Sequence, residues 1–121
     1  MTSATPQPWL PTRQVGTAVV VKLPPGNLFH DEMIDRLGDE LVRLIDASRC
    51  RRLVVDFGSV EHVASDLIAV LLVAHNRLLG VEGRLVLCSL NGTLRDLFAT
   101  LLLDRLFIIA AGEQEALGDP H

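Results

Sequence analysis

The chain has 121 residues, the length of one domain; 49% of them are hydrophobic and only 4% aromatic, so a single core must be aliphatic. A net charge of -4 argues against binding to nucleic-acid phosphates, and the lack of tyrosine argues against a base-stacking surface. No apolar run reaches the roughly 20 residues of a transmembrane helix, and the N-terminus lacks the basic start of a secretory signal. We therefore expect a soluble cytoplasmic protein that binds neither nucleic acid nor membrane.

The two cysteines, Cys50 and Cys88, are far apart in the sequence, and each lies beside or within an apolar run. This placement favours two buried free thiols over a disulfide. Free thiols suit the reducing cytosol.

The first part of the chain predicts two strands and a helix. Residues 1–11 hold three prolines among small polar residues and predict a flexible lead-in. A short strand is predicted at Thr12–Val15, and the β-branched run Thr17–Leu23 predicts a second. Apolar residues at helical spacing then predict a helix over His30–Ala47.

The middle of the chain predicts a buried strand and a second helix. Leu53–Phe57 shows no polar alternation before Asp56, which is typical of a central strand covered on both faces. We predict a loop over Gly58–Val63. A mostly buried helix should follow from Ala64 or Ser65 to Leu79.

The remaining elements complete a regular alternation of strands and helices. A strand is predicted at Arg84–Cys88, and Asn91 is predicted to cap a third helix. A short strand over Leu106–Ile109 and a short helix over Glu113–Leu117 follow. The inner stripe of the third helix is predicted to comprise Leu94, Leu97, Phe98 and Leu101.

This order predicts an α/β fold with a mixed, mostly parallel sheet of four to five strands packed by helices. We expect one domain over residues 12–117, preceded by the lead-in and followed by a tail over residues 118–121.

Catalytic and metal-binding patterns are weak throughout the chain. The first two strand-to-helix connections carry one glycine each, so neither matches a phosphate-binding loop. A zinc site from His62, Cys88 and Asp56 is conceivable, but unrelated residues are the simpler interpretation. Asp56 follows a strand, where carboxylates either catalyse reactions or cap loops, and we favour the cap. We expect no enzyme activity, no metal and no cofactor.

Several segments in order resemble the STAS domain of anti-sigma-factor antagonists. In that family a strand ending in Asp leads through a loop to a D-S-S-G-L-G pattern that opens a helix, and residues 53–72 are similar to it. The later segments Gly83–Cys88, Leu103–Ile108 and Glu113–Leu117, with the helix from Asn91, resemble the second half of the family. The resemblance covers Val15–Leu117 and implies a STAS-like fold.

The resemblance also implies a regulatory partnership. Family members bind a histidine-kinase-like anti-sigma factor, which phosphorylates the second Ser of the pattern and thereby breaks the partnership. Aligning Ile68-Ala69 with L-G puts Asp66 at the phosphoacceptor position. The same alignment puts Ala64, Ser65 and Leu67 at the motif Asp, the first Ser and the glycine.

Two interpretations of Asp66 follow from this alignment. Its carboxylate is either a fixed imitation of the phosphorylated state or simply a favourable acidic residue in the first helical turn. Ser65 is either the helix N-cap or a relocated phosphosite. We predict a divergent member without a working serine switch.

The predicted working surface comprises the Gly58–Ser65 loop, the first turn of the next helix and the neighbouring segment Asn27–Asp31. The rival hypothesis is a sensor domain that holds a nucleotide or apolar ligand near the same helix start. The predicted partner-binding residues are Asn27, His30, Asp31, Ser59, Glu61, His62, Ala64, Ser65, Asp66 and Ala69.

Overall fold

A five-stranded mixed sheet lies at the centre of the protein in a computed structural model, which describes residues 10–28, 31–47 and 50–118. In chain order the elements are β1 (Thr12–Val15), β2 (Ala18–Lys22), β3 (Gly26–Leu28), α1 (Asp31–Ala47), β4 (Arg52–Asp56), β5 (Val60–Val63), α2 (Ser65–Leu79), β6 (Arg84–Cys88), α3 (Gly92–Thr100), a 3-10 turn (Leu103–Arg105), β7 (Ile108–Ala110) and α4 (Glu113–Leu117).

The strand order of the main sheet is β1-β2-β4-β6-β7. β1 and β2 are antiparallel and are joined by a tight turn, in which Gly16 has a φ of +62°. That backbone conformation is accessible to glycine without steric cost. All other pairs in the sheet are parallel. The predicted α/β class and the mixed, mostly parallel sheet are confirmed.

The core lies on both faces of the sheet because successive residues of a strand point to opposite sides. One face packs under α1, α2 and α3, where it contributes residues such as Val55 and Leu87. The other face packs against α4 through smaller residues that include Val54, Val86 and Ala116. The prediction of buried free thiols is confirmed, since Cys50 and Cys88 are both buried and form no disulfide.

The predicted loop over Gly58–Val63 is wrong in its second half. Residues Val60–Val63 form β5, which pairs in parallel with β3 to make a separate two-stranded sheet. The backbone N–H of Gly26 donates to the Ser59 carbonyl at 2.8 Å, just where this pairing begins. This ladder satisfies backbone groups that a loop would leave to solvent.

Burial on the outer surfaces also differs from the predictions. α2 is not mostly buried: Leu67, Leu71, Ala74 and Leu78 form one buried stripe, while Val73 is 55% exposed. On α3, Leu101 is exposed rather than part of the inner stripe.

The last strand starts later than predicted and spans Ile108–Ala110, because the chain first makes the 3-10 turn. The predictions for His30, for most of the lead-in and for the end of the tail lie outside the described residues. Among the described helices, none is long and apolar enough to cross a membrane.

Candidate functional site

The connection from β4 to α2 begins with a carboxylate that shapes the backbone. Asp56 is buried, and its Oδ1 accepts a hydrogen bond from the Gly58 N–H at 2.7 Å. A Cβ atom at Gly58 would come within 2.9 Å of the same oxygen, so the tight approach requires glycine. The predicted loop-capping role of Asp56 is confirmed.

The β3–β5 ladder then fixes the segment that leads into the helix. Asn27 is paired with His62 and Leu28 with Val63, so the two segments that the sequence placed in one working surface lie side by side. Asn91 holds the same segment from the other direction, since its Nδ2 donates to the Val60 and Glu61 carbonyls at 3.3 Å each.

The start of α2 carries no side-chain cap. Its N-cap residue is Ala64, in extended conformation, which makes no side-chain hydrogen bond; its backbone carbonyl accepts the Leu67 N–H at 3.0 Å. The interpretation of Ser65 as N-cap is therefore wrong, because Ser65 is already the first helical residue. The first-turn N–H groups of a helix have no partner within the helix and carry its positive dipole end.

The predicted partner-binding residues mostly reach the surface around this helix start. Ser59 and Ala64 are half-buried, and Asn27 and Asp31 lie on β3 and at the first position of α1. Asp66 is the acidic residue of the first turn of α2. The exposed members of the set are Glu61, His62, Ser65, Asp66 and Ala69.

A groove between α1 and α2 continues this surface and was not predicted. Asp66 and Ala69 line it together with Asp35 and Val73, and its volume is about 280 Å³. The two helices approach closely, since a Cβ at Gly38 would lie 3.3 Å from Val70. Val73 belongs to the helix that the sequence predicted to be mostly buried, and its apolar side chain gave no signal of this exposure.

The carboxyl ends of β4 and β6 carry a separate cluster that includes Cys88. Burial raises the pKa of the Cys88 thiol to about 11, so the thiol is unreactive near neutral pH. A hydrogen bond with Asp56 raises the pKa of the Glu113 carboxyl on α4. Within the described ranges, no three His, Cys, Asp or Glu side chains are grouped closely enough to hold a metal ion.

These features define the class of protein. An α/β domain with a mostly parallel sheet, in which a short loop and an exposed helix start follow the strand that ends in Asp56, has the architecture of a STAS domain. The family model described as "Mlab, STAS domain" matches residues 12–110, and the chain belongs to this family. The predicted resemblance is confirmed.

Solved structures support the same fold. An anti-sigma-factor antagonist domain protein from Planctomyces limnophilus is 18% identical with a TM-score of 0.79, covering 89% of this chain and 93% of that one. A Moorella thermoacetica RsbS variant is 21% identical with a TM-score of 0.74, covering 90% and 92%. Phosphorylated SpoIIAA from Bacillus is 22% identical with a TM-score of 0.69, covering 89% and 96%. A search of curated protein sequences finds no match.

Proposed function

We propose that this protein is a non-catalytic regulator that docks an anti-sigma-factor kinase or a related regulatory protein through β5 and the first turn of α2. The observation that carries the proposal is the uncapped, exposed start of α2 in a chain of the STAS family. Solved relatives include anti-sigma-factor antagonists in unphosphorylated and phosphorylated forms. Two buried free thiols favour the reducing cytoplasm as the site of this partnership.

The proposed partnership runs without a serine switch at the usual position. The sequence alignment puts Asp66 at the position of the family's phosphoacceptor. Its side chain is exposed in the first turn of α2, beside the positive end of the helix dipole. A carboxylate supplies one fixed negative charge there, whereas a phosphate supplies up to two and is removable. The surface should therefore stay in one state.

Charge reversal at Asp66 tests the docking surface. Asp66→Lys should weaken binding to the kinase-type partner encoded in the same genome about tenfold, as expected for a charge near the centre of an interface. The measurement is isothermal titration calorimetry with both purified proteins.

The matched control is Glu82→Lys, which makes the same charge change at an exposed position in the turn after α2. Its affinity should equal that of the wild type. If both variants bind as the wild type does, the partner does not contact the start of α2 and the proposed surface is wrong.

Phosphorylation tests the absence of a switch. Incubation with ATP and the active kinase should leave the intact mass of the wild type unchanged, whereas Asp66→Ser should gain one phosphate. A phosphorylated wild type that loses the modification in Ser65→Ala would show that the switch has moved to Ser65.

A further inference from the structure

The far edge of the sheet carries a concentration of exposed apolar side chains that the proposed function does not use. Among the described residues, half of the large exposed hydrophobic side chains fall within eight consecutive positions at the end of α3, in the following turn and in β7. They are Leu101 (49% exposed), Leu102 (58%), Leu106 (43%) and Ile108 (40%), which we call the edge patch.

The backbone of the edge patch adds two unusual features. Leu102 has a φ of +61°, a left-handed conformation that is strained for a branched apolar residue. β7 is the last strand of the main sheet and pairs only with β6 among the described strands. Its outer N–H and C=O groups are therefore available to another chain.

The charges around the edge patch are balanced. Arg95 and Asp96 on α3 and Asp104 and Arg105 in the 3-10 turn sum to zero. α1, by contrast, has six acidic and two basic residues. Its excess of negative charge therefore equals the net charge of -4 of the whole chain. A second copy of this chain would meet repulsion at α1 and none at the edge patch.

The same surface carries a recess as well as exposed side chains. A cleft of about 470 Å³ is lined by Ala99 and Ile109 together with Arg95, Asp96 and Asp104. Asp104, which also lines it, lies in the sequence between the protruding Leu102 and Leu106. A twofold interface needs a protrusion and a recess on one patch, because each copy supplies both to the other.

We propose that the edge patch is a homodimer interface, in which two copies meet around a twofold axis at β7 and insert Leu102 beside the partner's cleft. None of the residues of the edge patch or of the cleft belongs to β5 or to the start of α2, so we expect a dimer to present two docking surfaces. The proposal does not depend on the identity of the regulatory partner.

Sedimentation velocity at protein concentrations from about 10 μM to 1 mM tests the dimer. This range suits a weak association, which is what a small patch of four exposed side chains is expected to give. The wild type should shift from monomer to dimer within this range. Leu102→Asn should weaken dimerisation about tenfold or more, and it should fold normally because Asn tolerates the left-handed conformation better than Leu does.

The matched control is Val73→Asn, which removes an equally exposed apolar side chain from the groove between α1 and α2. It should dimerise like the wild type. Hydrogen exchange of the β7 amides should also slow as the wild-type concentration rises. A wild type that stays monomeric at about 1 mM, or a dimer that Leu102→Asn leaves intact while Val73→Asn disrupts it, would overturn the proposal.

Discussion

The two connections that lead from central strands to helices begin side by side in the sheet and end differently. Asp56 closes β4 and Cys88 closes β6, and the two residues are paired in register. After β6 the chain enters α3 directly, and the Asn91 Oδ1 accepts the Leu94 N–H at 2.8 Å. After β4 the chain first adds β5 to the small sheet, and α2 then begins at Ala64 without a side-chain cap.

The difference separates a structural helix start from one that is available to a partner. Asn91 meets the needs of its own helix and also holds β5 through two carbonyls, so its polar atoms are used within the domain. The start of α2 keeps its positive dipole end at the exposed residues Ser65 and Asp66, and its N-cap residue Ala64 supplies no side-chain hydrogen bond. A protein that docks at a helix start gains the most binding free energy where no side chain of the domain caps the first-turn N–H groups.

Of the substitutions at the two helix starts, replacing Asn91 should lower the free energy of unfolding the most. Asn91→Ala removes the cap of α3, worth about 1 kcal/mol, and two hydrogen bonds to β5. We expect a loss of about 2 kcal/mol in the free energy of unfolding, since each neutral bond contributes roughly 0.5–1.5 kcal/mol. Urea denaturation followed by circular dichroism measures it.

The control for that prediction is Asn91→Ser, which keeps a side-chain oxygen as a helix cap and loses the Nδ2 donor. The loss in the free energy of unfolding should be about half of that in Asn91→Ala. If the alanine and serine variants are equally stable, the cap contributes nothing to the stability of the domain, and the contrast between the two helix starts has no energetic basis.

A smaller loss should follow from Asp56→Ala at the start of the other connection. The Gly58 N–H would lose its acceptor, which should cost about 1–2 kcal/mol. Asp56→Asn retains an oxygen in the same place and should retain most of the stability. Thermal unfolding of the wild type, Asp56→Ala and Asp56→Asn separates the hydrogen bond from the charge. If Asp56→Asn is as unstable as Asp56→Ala, the loss comes from the negative charge and not from the hydrogen bond.

Much of the fold was predictable because its signals are local. The continuous apolar runs of β4 and β6 predict central strands, and Asn91 ahead of an apolar stripe predicts a helix cap. β5 was missed because its four residues gain strand geometry only by pairing with β3, a non-local contact. Short segments of this kind carry too little periodicity to reveal a distant partner.

The candidate site was only partly predictable for related reasons. The family pattern placed Asp66 at the start of α2, and the structure shows that it is exposed. The exposure of Val73 could not be read from its identity, because an apolar residue looks the same in a core and in an open groove. Ser65 has the better capping side chain, but Ala64 holds the extended backbone geometry that a cap requires.

The smallest predicted effect is also the most direct test of the open helix start. Ala64→Ser supplies the hydroxyl that the N-cap lacks, so it should stabilise the fold by about 0.5–1 kcal/mol. Ser65→Ala removes an exposed hydroxyl that caps nothing and should change stability by less than about 0.5 kcal/mol. Urea denaturation of both variants measures the two values.

A loss of about 1 kcal/mol in Ser65→Ala, with no gain in Ala64→Ser, would mean that Ser65 caps α2 and that both helix starts are closed in solution. If the open start is instead used by a partner, Ala64→Ser should stabilise the free domain and weaken docking together. The added hydroxyl would occupy an N–H group that the partner otherwise contacts. Calorimetry with the Ala64→Ser protein therefore tests whether the missing cap is a feature of docking or only of the fold.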